Sequence, residues 1–262
     1  MPRKMLHLRV DDVLKKLLAG EITLDETRRK LSAINVRRVG ELARLDIGRA
    51  YRVGVPEMIL GEGKHPSEVA RLAITLAGEN GYALVTRADK KCVGEIKKKL
   101  PRGFVSSYNE RARAILIKRR NYVFPKVGRI GVLAAGTADV AVAEEASVAA
   151  EMMGCQVMKA YDVGIAGIHR LFKPLEHMLR KGVSALVVVA GMEGALPSVV
   201  ASLVDVPVIG VPTSVGYGVG TKGVAALMTM LQTCSPKVVV VNIDNGLGAG
   251  IFAGMIARSK AS

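Results

Sequence analysis

Five short apolar runs in the second half of the chain constrain its fold more than any other feature. They cover residues 129–135, 156–161, 184–190, 206–211 and 238–243, and each is nearly continuous in apolar residues. Helical patterns follow them at 141–153, 165–180, 197–203, 224–232 and 248–257. Pro197 suits the first turn of its helix. Glu144 and Glu145 are expected in the first turn of theirs, where the helix dipole favours acid. Apolar strands alternating with helices predict a parallel sheet covered on both faces. In such a fold ligands bind beyond the carboxyl ends of the strands. The loops there hold Gly136-Thr-Ala-Asp139, Asp162-Val-Gly164, Gly191-Met-Glu-Gly194, Pro212 to Gly220, and Asn242 to Gly248. Each combines glycine with a carboxylate or a hydroxyl, so the search for a site begins at these loops.

The first half has a different character. Residues 1–126 hold 28 Lys and Arg against 14 Asp and Glu, whereas residues 127–262 hold 10 against 9. Glycine rises from 10 to 18 across the same cut. Such a shift predicts two domains, 1–126 and 127–262, joined near the basic stretch 118–126. The first domain reads as mixed α/β. Helix 13–19 is expected behind Asp11 or Asp12 and is stopped by Gly20. A second helix follows the capping-box sequence Thr23-Leu-Asp-Glu26. Strand 53–60, helix 66–77, strand 82–86, basic helix 88–100 and strand 112–117 complete it.

A basic domain attracts phosphate, on nucleic acid or on a small ligand, although scattered Lys and Arg also read as a solvated surface. Aromatic residues make up 4% of the chain and Trp is absent. That disfavours a stacking platform for single strands, so no nucleic-acid partner is expected. No apolar run reaches the roughly 18 residues of a membrane span. The first residues lack the apolar core of a signal peptide. The expectation is a cytoplasmic protein with no membrane partner. Cys92, Cys155 and Cys234 form no CxxC pair and suit neither a disulfide framework nor a structural zinc site.

Individual motifs leave alternatives open. Gly218-Val-Gly-Thr-Lys-Gly223 matches GxGxxG between a strand and a helix, and Asp244 stands where a ribose-binding acid would. In a glycine-rich chain the same residues also read as a phosphate-binding or lid loop. Walker A, GxSxG, HExxH and EF-hand sequences are absent, so those classes lose support. Glu193, between glycines, has little to pack on and reads as a functional acid or a solvated one. Asp139 reads as a helix cap or a site residue. His169 and His177 lie eight apart without a third ligand, so a metal site there is not expected. Cys234 precedes Ser-Pro at a helix end, where the dipole disfavours a thiolate; from the residues alone it reads first as an inert small hydrophobe, with a nucleophile as the lesser reading. Cys155 reads as structural.

Longer motifs carry a resemblance. They are Gly136-Thr-Ala-Asp-Val-Ala-Val-Ala-Glu-Glu-Ala146, Tyr161-Asp-Val-Gly-Ile-Ala-Gly-Ile-His-Arg170 and Gly191-Met-Glu-Gly-Ala-Leu-Pro-Ser198. They continue in Val208-Ile-Gly-Val-Pro-Thr-Ser-Val-Gly-Tyr-Gly218 and Val241-Asn-Ile-Asp-Asn-Gly-Leu-Gly-Ala-Gly250. Together with Arg52-Val-Gly-Val-Pro-Glu57 and Gly61-Glu-Gly-Lys64 they resemble the LarB family, the pyridinium-3,5-biscarboxylic acid mononucleotide synthases. The second domain is also similar to the PurE type of phosphoribosylaminoimidazole carboxylase. Ala190-Gly-Met-Glu-Gly-Ala-Leu-Pro197 resembles that group's Ala-Gly-Gly-Ala-Ala-His-Leu-Pro, but Ala195 replaces the His and no Ala-His-Arg follows the second strand.

The resemblance implies a PurE-like (flavodoxin-like) five-stranded parallel sheet behind an N-terminal mixed α/β domain. It implies that nicotinic acid adenine dinucleotide is carboxylated on its pyridinium ring with CO2 or bicarbonate. The phosphoanhydride is then hydrolysed to release AMP, the first stage of nickel-pincer nucleotide cofactor synthesis. The family's Cys nucleophile falls on Cys234 and its active-site Glu on Glu193. The expected substrate-binding residues are Gly136, Thr137, Asp139, Asp162, Thr213, Ser214, Gly216, Tyr217, Asp244 and Asn245. Asp139 and Asp244 stand as alternatives for metal or ribose contact, and no metal ligand is assigned. Magnesium is the expected cofactor and a homo-oligomer, an octamer in PurE-like proteins, the expected assembly. The basic first domain is expected to hold the adenylate half. A PurE-type 5-(carboxyamino)imidazole ribonucleotide mutase and a basic nucleic-acid-binding protein are the competing readings.

Overall fold

The computed structural model describes residues 2–32 and 35–261. Internal contacts divide the chain into two compact units. One holds the chain through Val85 together with Lys90–Ser106 and Leu116–Arg120; the other holds Thr86–Asp89, Ser107–Ile115 and everything from Asn121 onward. Two short segments of the first half therefore belong to the second unit.

The first-half elements are α1 (Pro2–Leu18), α2 (Leu24–Ser32), β1 (Arg37–Val39), β2 (Ala43–Leu45), α3 (Arg49–Val53), β3 (Ile59–Leu60), α4 (Pro66–Asn80), β4 (Tyr82–Thr86), α5 (Lys90–Lys99), β5 (Phe104–Asn109) and β6 (Ala114–Arg119). β1 and β2 pair antiparallel, and a four-stranded sheet runs β3-β4-β6-β5. The capping box before α2 forms: the Glu26 carboxylate accepts the Thr23 N–H at 2.8 Å, and the Thr23 hydroxyl accepts the Glu26 N–H at 3.2 Å.

Two expectations fail here for local reasons, and one strand was not expected. α1 begins far upstream, so Asp11 and Asp12 lie inside it and cap nothing. The strand expected at 53–60 is mostly not a strand. Gly54 closes α3 in the left-handed region at φ 73°, its N–H bonded to the Ala50 carbonyl, and Pro56 has no N–H to offer a ladder. Only Ile59–Leu60 pairs. β5 is absent from the sequence reading because Phe104-Val-Ser-Ser-Tyr-Asn109 carries too little apolar signal.

The second unit is built on β7 (Gly128–Ala134), α6 (Val140–Met152), β8 (Cys155–Ala160), α7 (His169–Arg180), β9 (Leu186–Ala190), α8 (Leu196–Leu203), β10 (Val208–Pro212), α9 (Val224–Leu231), β11 (Val238–Val240) and α10 (Gly246–Ala261). The sheet order is β11-β10-β9-β7-β8, and every pairing is parallel. Alternate strand residues serve opposite faces. Ile130, Val132, Val187, Val189, Ile209 and Val211 pack with α6 and α10. Leu133, Leu186, Val188 and Val208 pack with α7, α8 and α9. Each fully buried Val or Leu contributes about 1.5–3 kcal/mol relative to exposure, so these two layers hold the loops above them.

α10 lies against α6 backbone to backbone. A Cβ on Gly246 would stand 2.3 Å from the Val142 carbonyl oxygen, and one on Gly250 would stand 2.1 Å from that of Ala146. A Cβ on Gly254 would meet Met153 Cβ at 2.7 Å. Glycine at these three positions is what lets the helices meet. Among the described residues no helix is long and apolar enough to cross a membrane.

Candidate active site

The chain order β7, β8, β9, β10, β11 is laid out in space with β9 central and β7 between β8 and β9. Connections from β7 and β9 therefore leave in opposite directions, opening a crevice above their carboxyl ends, the general ligand position in open α/β sheets. A cavity of about 510 Å3 lies there. Its polar floor comes from the loop after β7 and its far wall from the loop after β9.

Asp139 anchors the floor. It ends a one-turn 3-10 segment, Thr137–Asp139, that follows β7. Its carboxylate does not cap α6, which removes the helix-cap reading. Instead it accepts the Gly136 N–H at 2.9 Å and the Thr213 hydroxyl at 2.6 Å. Thr213 is fully buried at the end of β10 and Asp139 is 5% exposed. Burial pushes the Asp139 carboxyl above the usual range, against the opposing pull of Thr213 and the amides of Gly136 and Gly191. Gly191 must be glycine. A Cβ there would stand 2.5 Å from the Val215 carbonyl oxygen and 2.6 Å from the Thr213 hydroxyl.

Glu193 stands in a tight turn after β9, closed by the Gly194 N–H on the Gly191 carbonyl at 2.9 Å. The turn holds Met192 at φ 49° and Gly194 at φ 66°, and Glu193 is exposed along the cavity lining. The rest of the wall is apolar: Ile165, Met192, Ala195, Leu196 and Val215. Among the described residues, Asp139 and Glu193 are the charged members of the lining, and it holds no Lys, Arg or His. Ala195, where the PurE motif carries His, is part of this wall.

Of the residues singled out in the sequence, Gly136, Asp139, Glu193, Gly216 and Tyr217 line the cavity, with Thr213 buried behind Asp139. Ser214 lines a neighbouring cavity. Asp162 stands apart, ion-paired with Arg170, and Thr137 is exposed outside the lining. Asp244 and Asn245 hold backbone. Asp244 accepts the Ser214 N–H at 2.8 Å, and Asn245 accepts the Gly248 N–H at 2.9 Å.

Cys234 is not brought to this cavity. It is exposed in the connection from α9 into β11, at the edge where the strands begin. Glu193 follows β9, at the edge where they end. α9 closes at Leu231, one residue short of the expected 232, and Cys234 follows in the connection.

The sequence reading missed the second tier of the site. α6 starts at Val140, so Glu144 and Glu145 fall in its second turn and not at its dipole end. Glu145 is buried and accepts the Leu247 N–H at 3.3 Å, capping α10 instead of its own helix. Burial raises its carboxyl, with Arg87 pulling the other way. The Arg87 guanidinium also donates to the Asp244 carbonyl oxygen at 3.2 Å. Glu144 takes Tyr161 at 2.7 Å, Asn109 at 2.6 Å and Lys159 at 3.0 Å. Burial alone would raise its carboxyl, but these three donors outweigh it and hold it below the usual range. Arg87 and Asn109 come from distant parts of the sequence, so no local pattern could reveal them. Among the described residues no three His, Cys, Asp or Glu side chains gather to hold a metal ion.

Comparison with known proteins places this geometry. The pattern described as LarB/PurE-like N-terminal domain matches residues 36–120, and the AIR carboxylase pattern matches residues 129–262. An uncharacterized protein of Methanocaldococcus jannaschii is 47% identical over 249 residues, 94% of this chain and 96% of that protein. The N5-carboxyaminoimidazole ribonucleotide mutase of Thermotoga maritima is 29% identical over 137 residues, 50% of this chain and 76% of the mutase. A probable mutase of the same kind from Methanothermobacter thermautotrophicus is 29% identical over 133 residues, 49% of this chain and 37% of that protein. The second unit is thus an enzyme domain of the carboxylase and mutase type. The chain belongs to the LarB family, in which a LarB/PurE-like N-terminal domain precedes an AIR carboxylase domain.

Proposed function

We propose that this protein carboxylates the pyridinium ring of nicotinic acid adenine dinucleotide and then cleaves its phosphoanhydride, releasing AMP. The observation that carries this reading is the charge of the cavity. Apolar walls and two carboxylates, with no cationic side chain in the lining, suit a flat cationic ring. The mutase reading loses ground on the same wall, because Ala195 offers no imidazole.

A pyridinium carbon is electrophilic and cannot attack CO2. A thiolate added to the ring forms a C–S bond and leaves a neutral enamine, whose β-carbon bonds to CO2. Glu193 then accepts the proton from that carbon, the C–S bond breaks, and aromaticity returns with the thiolate as leaving group. Water adds to phosphorus in the second reaction and AMP departs. Magnesium enters the proposal as a counter-ion carried on the pyrophosphate, which this cation binds with few protein carboxylates.

Cys234 supplies the thiolate in this reading. Within one chain it stands at the edge opposite Glu193, so the reading takes Cys234 from a second copy in a homo-oligomer. Val224, Met228 and Leu231 support such an assembly. They recur at one-turn spacing on α9, are 47%, 54% and 59% exposed, and lead directly toward Cys234.

The test mixes two impaired variants. Cys234→Ser and Glu193→Gln are each incubated with the dinucleotide, bicarbonate and magnesium, alone and after co-refolding, with products read by mass spectrometry. Cys234→Ser alone should give no carboxylated product, and Glu193→Gln alone roughly a hundredth of the wild-type amount or less. The mixed oligomer should recover part of the activity, because some sites pair an intact Glu193 with an intact Cys234. Activity in Cys234→Ser alone would end the covalent mechanism, and failure of the mixture would end the shared site.

A further inference from the structure

The GxGxxG segment is not absorbed by the ring cavity. Gly218–Gly223 forms a short 3-10 segment between β10 and α9. Beside it lies a second cavity of about 230 Å3. The two cavities share Met192, Val215, Gly216 and Tyr217, so they are contiguous. Their charges are opposite. The first holds Asp139 and Glu193, whereas the second has Lys222 as the charged side chain of its lining. The remaining wall is largely glycine main chain with Ser214. The Ser214 amide is committed to Asp244 at 2.8 Å, leaving the hydroxyl as its other donor.

A paired cavity, acidic at one end and basic at the other, suits a molecule with the same separation of charge. We propose that the second cavity seats the phosphate attached to the ribose of a cationic-ring nucleotide, with Lys222 as its counter-charge. This rests on the reading of the first cavity as a pyridinium site and extends it to the neighbouring anion. The ribose would then pass beneath Met192 and Tyr217, the wall common to both cavities. Lys222 acts here as a compact point charge on a flexible stem, which suits a phosphate without demanding planar geometry. The segment's glycines suit it as well, since phosphate is commonly cradled by main-chain groups that side chains would crowd.

The test uses the full chain and three probes in titration calorimetry: nicotinic acid mononucleotide, nicotinic acid riboside and inorganic pyrophosphate. Wild type, Lys222→Gln and Lys222→Arg are compared. Lys222→Gln should lose roughly 10-fold or more in affinity for the mononucleotide, the scale of one charge-assisted hydrogen bond. It should bind the riboside as wild type does, and Lys222→Arg should keep most of the mononucleotide affinity. Equal losses for mononucleotide and riboside, or no loss for either, would overturn the assignment. The pyrophosphate arm separates the two ideas. Pyrophosphate binding that weakens in Lys222→Gln, with no riboside binding to wild type, would keep the phosphate seat and sink the pyridinium reading. Riboside binding with a mononucleotide that does not sense Lys222 would do the reverse.

Discussion

Thr213→Val isolates one interaction beneath the site. The substitution keeps the branched shape and removes the hydroxyl that donates to Asp139 at 2.6 Å. Thr213 is fully buried, so no water replaces that donor without rearrangement. Asp139 sits above the usual carboxylate range because of burial. Its folded form therefore holds a proton more tightly than the unfolded chain does. Stability from this group is fully present below the ordinary value of about 3.9 and is lost as pH rises through the raised folded value. The Thr213 bond limits that loss by favouring the carboxylate. Without it the folded value moves further up and the loss continues to higher pH. At about pH 4 the variant should cost about 0.5–1.5 kcal/mol, the worth of a neutral hydrogen bond. At about pH 8 it should cost about 1.5–3 kcal/mol, the worth of a bond to a charged group. For a domain of this size the larger cost lowers Tm by roughly 3–12 °C. Thermal unfolding of both proteins, followed by circular dichroism at the two pH values, reads the difference. A Tm gap of equal size at both, or none at either, would refute the picture of Thr213 as the donor that favours the ionised form of Asp139.

Other outcomes follow from the same geometry. Glu193→Gln should lower carboxylation by roughly 100-fold or more, the scale of general-base loss, with the chain folded normally; wild-type turnover would remove Glu193 from the chemistry. Iodoacetamide at mildly alkaline pH should modify the native chain once, at Cys234, as counted by intact mass. Cys92 and Cys155 are buried and the Cys155 thiol is pushed up to about 11 by burial, so rapid labelling of either would contradict the packing. Gly250→Ala should cost about 1–3 kcal/mol by wedging a methyl against the Ala146 carbonyl, and an unchanged urea midpoint would show that α10 shifts freely.

The parallel unit was legible because its signal is local. Runs such as Leu186-Val-Val-Val-Ala190 are apolar on both faces only when both faces are covered, so periodicity and burial carry the same message. Strands at the crevice announced the loops that hold Asp139 and Glu193. The first half was less legible because β1, β2 and β3 are only two or three residues long and no residue of β5 is fully buried, whereas the buried β4 and β6 were read. At Val53-Gly-Val55 the β-branched residues argued for extension, and the left-handed conformation of Gly54 overrode them. The acids of α6 were misread for another reason. Their spacing is helical, but their partners are Leu247, Tyr161 and Asn109, which only the closed fold brings near. The edge on which Cys234 stands was legible from its position between a helix and the strand that follows it. In a parallel sheet a connection from a helix into the next strand lies where the strands begin, away from the carboxyl-end loops, so only the family resemblance joined Cys234 to Glu193.

The four-residue spacing of Gly246, Gly250 and Gly254 sets how closely α10 meets α6, but it leaves the axial register open. A slide of α10 by one repeat, about 6 Å, would lower each glycine onto its neighbour's seat. The contact is a smooth rail, and something must stop the travel. The stop is at the end of the helix, where the Glu145 carboxylate takes the Leu247 N–H and Asn245 takes that of Gly248. Those donors exist only in the first turn and are not repeated further along. Asp244, next in the chain, grips Ser214 from the same stop. The loop over the crevice thus inherits its height from a carboxylate that never touches it.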